Sequence, residues 1–355
     1  MELYWKRIKE EIHLPKEIEK YNNRIIKDKS SNFIRHIKEV EYNYTNHLVA
    51  NESYGLGEEF LRLSEDSSNT GFLIDIDSNS PHNKAKIDFH IDKENPTIVD
   101  YNLLICRENS NLELVINYDD DREINGFHNG FTKVFIESGA KVNIYKIQSY
   151  SKNIKHFDSN IIFVKENAEV NIIDIQLGSK LKGINYDVQL IGDNSICNIK
   201  SIYIGTEEDK MDFSYNIKYL GRKTKGFIES KGALTDKAWK VFRSTIDFVK
   251  GSKKARGGES EYVTLLSKDV KSHAIPALFC TEDDVIGEHA ASAGQIDQNK
   301  MFYLMSRGLD QNSAKILVVE SSFEPILELL PDKAVKEKIS KNVKSALGGS
   351  QVEGL

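Results

Sequence analysis

Three residues late in the chain have the clearest capacity for metal chemistry: His273, Cys280 and His289, which fall within one stretch of strand-like sequence. A neutral imidazole and a thiolate are both competent iron ligands, thiolate being the usual choice and imidazole an occasional replacement. The cysteines number three, Cys106, Cys197 and Cys280, far apart and with no CxxC pair. That spacing argues against a disulfide framework and against a self-contained zinc or ferredoxin site. Of the nine histidines, His13, His36 and His47 fall in a helix-patterned head, while His82, His90, His128 and His156 border apparent turns. A metal site needs several converging donors, so these seven read as structural or exposed.

Other chemistries lack their signatures. There is no GxSxG elbow, no HExxH, no phosphate-binding GxxxxGK[ST] loop and no GxGxxG after a strand. The acidic runs Asp119-Asp120-Asp121 and Glu282-Asp283-Asp284 read as polar turns, because adjacent strand residues point to opposite faces. Lys250, Lys253, Lys254 and Arg256 read as a solvated loop, and a net charge of -6 with pI near 5.9 gives no expectation of a nucleic-acid surface. The sequence opens Met-Glu-Leu-Tyr-Trp-Lys-Arg without an apolar run, and no stretch approaches the roughly 20 apolar residues of a membrane span. A soluble cytoplasmic protein is the expectation.

The elements that must position these residues change character along the 355 residues. Residues 1 to 38 carry Leu, Ile and Trp5 at helical spacing, interrupted by Pro15, which suggests two short amphipathic helices. From about residue 70 to 285, short β-branched runs alternate with Asn, Asp, Gly and Ser. A weak repeat runs through them: Asn109-Ser-Asn-Leu-Glu-Leu, Gly139-Ala-Lys-Val-Asn-Ile, Asn167-Ala-Glu-Val-Asn-Ile and Asn194-Ser-Ile-Cys-Asn-Ile. Asn143, Asn171 and Asn198 are 28 and 27 residues apart, a spacing that suits one coil of a β-solenoid; a long antiparallel sandwich is the competing arrangement. Helical period returns near Asp297, which reads as an N-cap. Helices are expected over 301–307, 312–328 and 332–347, broken by Gly308 and Pro331 and followed by a frayed tail.

The segment from Gly221 to Leu309 carries a family likeness: Gly221-Arg-Lys-Thr-Lys-Gly-Phe-Ile-Glu-Ser, Glu259-Ser-Glu-Tyr-Val-Thr-Leu-Leu, His273-Ala-Ile-Pro-Ala-Leu and Glu288-His-Ala-Ala-Ser-Ala-Gly-Gln-Ile occur in order. It resembles the SufB/SufD family, scaffold proteins of the SUF iron-sulfur cluster assembly system. The resemblance implies a mainly β fold, a right-handed parallel β-helix core over 66–292 between an N-terminal helical region (1–65) and a C-terminal one (293–355). SufB-type members carry an essential cysteine where this chain has Glu261, and a glutamate where it has Ala290. The SufD branch lacks that cysteine and keeps a histidine, here His289.

By that resemblance His289 is the candidate ligand for a transient iron-sulfur cluster shared with a SufB-like scaffold. Cys280 matches no ligand position and is expected to be a buried structural thiol. The C-terminal helices resemble the docking region for a SufC-like ATPase, so ATP binding belongs to the partner and the chain is expected to be non-enzymatic. It could form a homodimer when alone. The alternatives are a SufB-like homodimeric scaffold that builds the cluster itself, or a carbohydrate-active β-helix protein such as a polysaccharide lyase.

Overall fold

The sequence repeat marks one corner of a coil. Its first residue lies at positive φ: 56° at Asn109, 73° at Gly139, 54° at Asn167 and 58° at Asn194. Asparagine and glycine tolerate that left-handed conformation best. The next residue, Ser110, Ala140, Ala168 or Ser195, is buried and small enough to turn inward. Each corner then bonds to the next coil, with Asn109 N donating to Ser138 O (3.0 Å), Gly139 N to Glu166 O (2.9 Å), Asn167 N to Asp193 O (2.9 Å) and Asn194 N to Arg222 O (2.8 Å). The corner continues through Lys223 and Lys254, at φ 55° and 61°, where the Asn/Gly signal is lost although the geometry persists. The repeated asparagines form a side-chain ladder: Asn171 Nδ2 donates to Asn143 Oδ1 (3.1 Å) and Asn198 Nδ2 to Asn171 Oδ1 (2.8 Å).

The computed structural model describes residues 2–5, 10–13, 18–23, 25, 33–37, 55–79 and 83–348. Near the N-terminus β1 (Glu2–Trp5) and β2 (Glu10–His13) form an antiparallel pair, followed by β3 (Ile34–His36) and helix α1 (Glu58–Ser67). The described parts of residues 1 to 38 are therefore strand at 2–5, 10–13 and 34–36 and irregular at 18–23 and 25, where the apolar spacing suggested helix, because short segments take the conformation their pairing allows. Pro15, His47, His82 and the tail beyond Gly348 lie outside the described residues.

The remaining strands are β4 (Phe72–Ile76), β5 (Asn83–Ile91), β6 (Thr97–Cys106), β7 (Asn111–Asp120), β8 (Gly126–Ile136), β9 (Lys141–Gln148), β10 (Ile154–Val164), β11 (Glu169–Gln176), β12 (Leu181–Leu190), β13 (Ile196–Gly205), β14 (Lys210–Tyr219), β15 (Lys225–Leu234), β16 (Trp239–Phe248), β17 (Arg256–Leu265), β18 (Lys271–Cys280) and β19 (Ile286–Gln295). They alternate between two sheets. Even-numbered strands stack in order from β4 to β18, and odd-numbered strands from β5 to β19. All these pairings are parallel, and β3 adds antiparallel to β4 at the first edge. The result is a parallel β-solenoid of about eight coils, which decides against the sandwich.

Between the sheets lies the main core, stacked Ile, Val, Leu, Phe and Tyr from β4 to β17. Each sheet is also covered outside. Phe60 and Leu56, from α1 and its approach, pack with Val99, Phe127, Phe157 and Leu181 on the even sheet. On the odd sheet, α3 (Gln311–Leu327) and α4 (Lys333–Ala346) place Val319, Phe323, Ile326, Ile339 and Val343 against Tyr145, Ile173, Ile175, Ile202 and Ile204. Between β19 and α3 runs α2 (Gln298–Ser306), capped by Asp297 Oδ1, which accepts from Asn299 N at 2.8 Å. The cap expected at Asp297 is present, and the chain turns after α2 at Gly308, φ 98°.

Candidate metal-ligand site at the open end of the solenoid

In-register parallel strands place equivalent residues in columns, one per coil. One inward column of the odd sheet reads Leu114, Ile144, Ile172, Ile199, Ile228, and then, in the last two coils, Glu259 and His289. The neighbouring column reads Lys146, Asp174, Ser201, Ser230, Glu261 and Ala291. In the first of these columns aliphatic packing gives way to ionisable groups only where the solenoid stops, whereas the second already carries Lys146 and Asp174 in its middle coils.

Glu261 and Glu259 lie two apart on β17, so both face inward. Glu261 is buried and doubly held, accepting from Tyr203 Oη at 2.6 Å and from Lys240 Nζ at 2.7 Å. Lys240, itself buried, also donates to His273 O at 3.2 Å. Glu259 is 5% exposed, and its Oε2 has no hydrogen-bond partner. Burial raises its pKa to about 7; the Ser244 hydroxyl and Lys240 oppose the rise, while Glu261 adds to it. Two carboxylates therefore share one ammonium, and geometry gives it to Glu261.

His289 is exposed on β19, the outermost odd strand, and β18 is the outermost even strand. Neither has a further strand beyond it among the described residues. Ile275 (51% exposed), Phe279 (58%) and Ile286 (49%) leave this end apolar as well as unpaired. An exposed sheet edge with large apolar side chains is a template for association. Beside it, Phe302 and Tyr303 of α2 are 76% and 56% exposed, and a cleft of about 410 Å³ opens between Leu265, Gln295, Met301 and Lys315.

The other residues picked out by type separate. His273 lies on the even sheet with its ring 6.1 Å from Trp239, which packs outside with the α1 cluster, so it does not join the inward-facing His289. Cys280, expected to be buried, is exposed, because no coil covers β18; its Sγ donates to Glu282 O at 3.0 Å. Cys106 and Cys197 are buried core thiols whose pKa burial pushes up. Among the described residues no three His, Cys, Asp or Glu side chains are gathered to hold a metal.

His128 and His156 do not border turns but face each other inside the solenoid, 4.6 Å apart and stacked. His128 Nε2 lies 2.6 Å from Asp100 Oδ1. Burial, then the neighbouring His128, holds His156 well below its ordinary pKa. The Asp119 run is more than a polar turn, since residues two apart share a face: Asp119 and Asp121 grip His90 at 2.7 and 3.1 Å. Lys250, Lys253, Lys254 and Arg256 are exposed, as a solvated loop would be. The alternation Glu259-Ser-Glu261 within a strand is a legible sign of two acids on one face, whereas nothing in the sequence ties Lys240 to Glu261.

The family described as SUF system FeS cluster assembly, SufBD core domain, matches residues 89–322, well over half of the chain. The chain belongs to this family. Over 150 residues it is 32% identical to the iron-sulfur cluster assembly protein SufD of Bacillus subtilis, covering 42% of this chain and 34% of that one. It is 27% identical over 222 residues to an iron-sulfur cluster assembly SufBD family protein of Pyrococcus horikoshii (62% and 49% covered). With one from Staphylococcus epidermidis identity is 24% over 263 residues (74% and 56% covered). The aligned part spans from about a third to just over half the length of these relatives. Among the described residues no helix of this SufBD family member is long and apolar enough to cross a membrane.

Proposed function

We propose that this chain is a SufD-like, non-enzymatic scaffold subunit of an iron-sulfur cluster assembly complex. It pairs through its last coil with a SufB-like scaffold and receives a SufC-like ATPase at its C-terminal helices, in the cytoplasm. The observation that carries this reading is the bare terminal coil: β18 and β19 end both sheets, exposing a strand edge, apolar side chains and His289 together. A solenoid end left uncovered invites association, and a partner adding strands there would enclose His289 at the junction. The cluster is cargo: His289 offers one nitrogen donor and the partner the rest, a thiolate among them.

Glu261 stands where SufB-type relatives are expected to carry their cysteine, and here its carboxylate is engaged by Lys240 and Tyr203. That favours a subunit that supports a partner's site over one that builds a cluster alone. The exposed aromatic residues of α2 and the cleft beside them supply a surface for the ATPase, whose dimerisation would pull on the helices and bias the position of the last coil.

The test is co-expression with SufB-like and SufC-like proteins from the same source, comparing wild type with His289→Ala. The expected result is an intact complex that has lost its cluster absorption. Loss of the complex itself would make His289 a packing residue, and a stable stoichiometric cluster on the lone chain would favour the self-sufficient scaffold.

A further inference from the structure

Glu259 is an expensive residue where it stands. Every earlier member of its column from Leu114 to Ile228 is aliphatic, and a buried carboxylate with an unpartnered oxygen costs free energy that Ile or Leu would not. Lys240, the nearby cation, is committed to Glu261 at 2.7 Å. The next residue up the column is His289, directly in register on β19. Neighbouring strands lie about 4.8 Å apart, so paired side chains on one face can bring their ends to the roughly 3 Å separation of two donors on one ion. On the same face of β19, Leu278 and Phe248 fill the space at Gly287, while the small side chain of Ala291, next to His289 on the Glu261 side, is where an ion's remaining ligands would sit.

We infer that Glu259 is a second donor beside His289, the two forming a carboxylate–imidazole pair that takes a ferrous ion on this chain's own inner face. This rests on the reading of His289 as a metal ligand and deepens it. One nitrogen and one carboxylate oxygen with open coordination positions suit Fe(II), whereas a preformed cluster would call for thiolates. The ion satisfies the unpartnered Oε2 and supplies the positive charge that the two glutamates lack.

The full-length chain is titrated anaerobically with Co(II), read by its visible absorption, and then with Fe(II) by equilibrium dialysis. Wild type is expected to bind, Glu259→Gln and His289→Ala each to weaken binding roughly tenfold or more, and Glu259→Asp, which keeps the carboxylate, to fall between. Thermal melts check folding; Glu259→Gln removes a buried charge and should melt no lower than wild type at pH 8. Unchanged binding in Glu259→Gln, or no Co(II) binding by wild type, overturns the pair. Either result leaves the role of His289 in the complex to be decided by its own co-expression test.

Discussion

Replacing Lys240 by Met tests whether one ammonium holds the terminal coils together. Lys240 is buried, bonded to Glu261 at 2.7 Å, and supplies the positive charge beside Glu261 and Glu259. Methionine preserves the volume of the stem but leaves two buried carboxylates uncompensated, with only Tyr203 Oη still donating to Glu261. Removing one member of a buried ion pair costs about 3–5 kcal/mol. The cost depends on pH. Glu259, with its folded pKa raised to about 7 from 4.5, binds its proton more tightly folded than unfolded, so it favours folding below pH 4.5 and that advantage is lost as pH rises through 7.

Lys240→Met should therefore be most damaging at pH 8 and least near pH 5, where the carboxylates can take up protons. Each coil of a solenoid packs mainly on its neighbours, so the loss appears first as local opening. Hydrogen exchange over β15 to β18 is the assay, with β7 to β11 as internal control. Lys240→Met combined with Glu261→Gln should recover part of the protection at pH 8. A cost below about 1 kcal/mol, or one equal at pH 5 and pH 8, would refute the reasoning.

Two further outcomes follow from the same structure. Burial opposes the charged form of His90, but Asp119 and then Asp121 outweigh it and hold the pKa above 6.5; their stabilisation is complete below pH 6.5 and lost as pH rises through the raised value. Asp119→Asn should then cost under about 1 kcal/mol at pH 6, since His90 is a third exposed, and by pH 9 the difference should shrink to the small share of the exposed Lys338–Asp119 contact in denaturant melts. At the corner, Asn167→Val forces a β-branched residue to φ 54° and removes the acceptor for Asn194 Nδ2. It should cost about 1–2 kcal/mol by chemical denaturation, against a few tenths for Asn167→Gly.

The repeated Asn/Gly followed by Ala/Ser was legible because it answers a local demand: a residue that accepts positive φ, then one small enough to face inward. Asp297 was legible for the same reason, since a cap needs only its own helix. Where Lys223 and Lys254 meet the corner geometry with an unlikely residue type, the signal faded although the coil continued. The strands at Glu2–Trp5 and Glu10–His13 were not legible, because pairing overrode an apolar spacing that reads as helix.

Alternation along a strand announces two faces; it does not say which is inside. His273 and His289 look equivalent in the sequence, and the phase of each strand put one against Trp239 outside and the other above Glu259. His128 and His156 went into the core by the same rule, and Cys280 stayed exposed because no later coil covers it. The repeat already marked the corners and the late motifs the family; that the strands close into a coil rather than a sandwich, and which side chains share a column, came only with the folded chain. That follows from the physics of a solenoid, where residues about thirty apart become neighbours only once every intervening turn has closed.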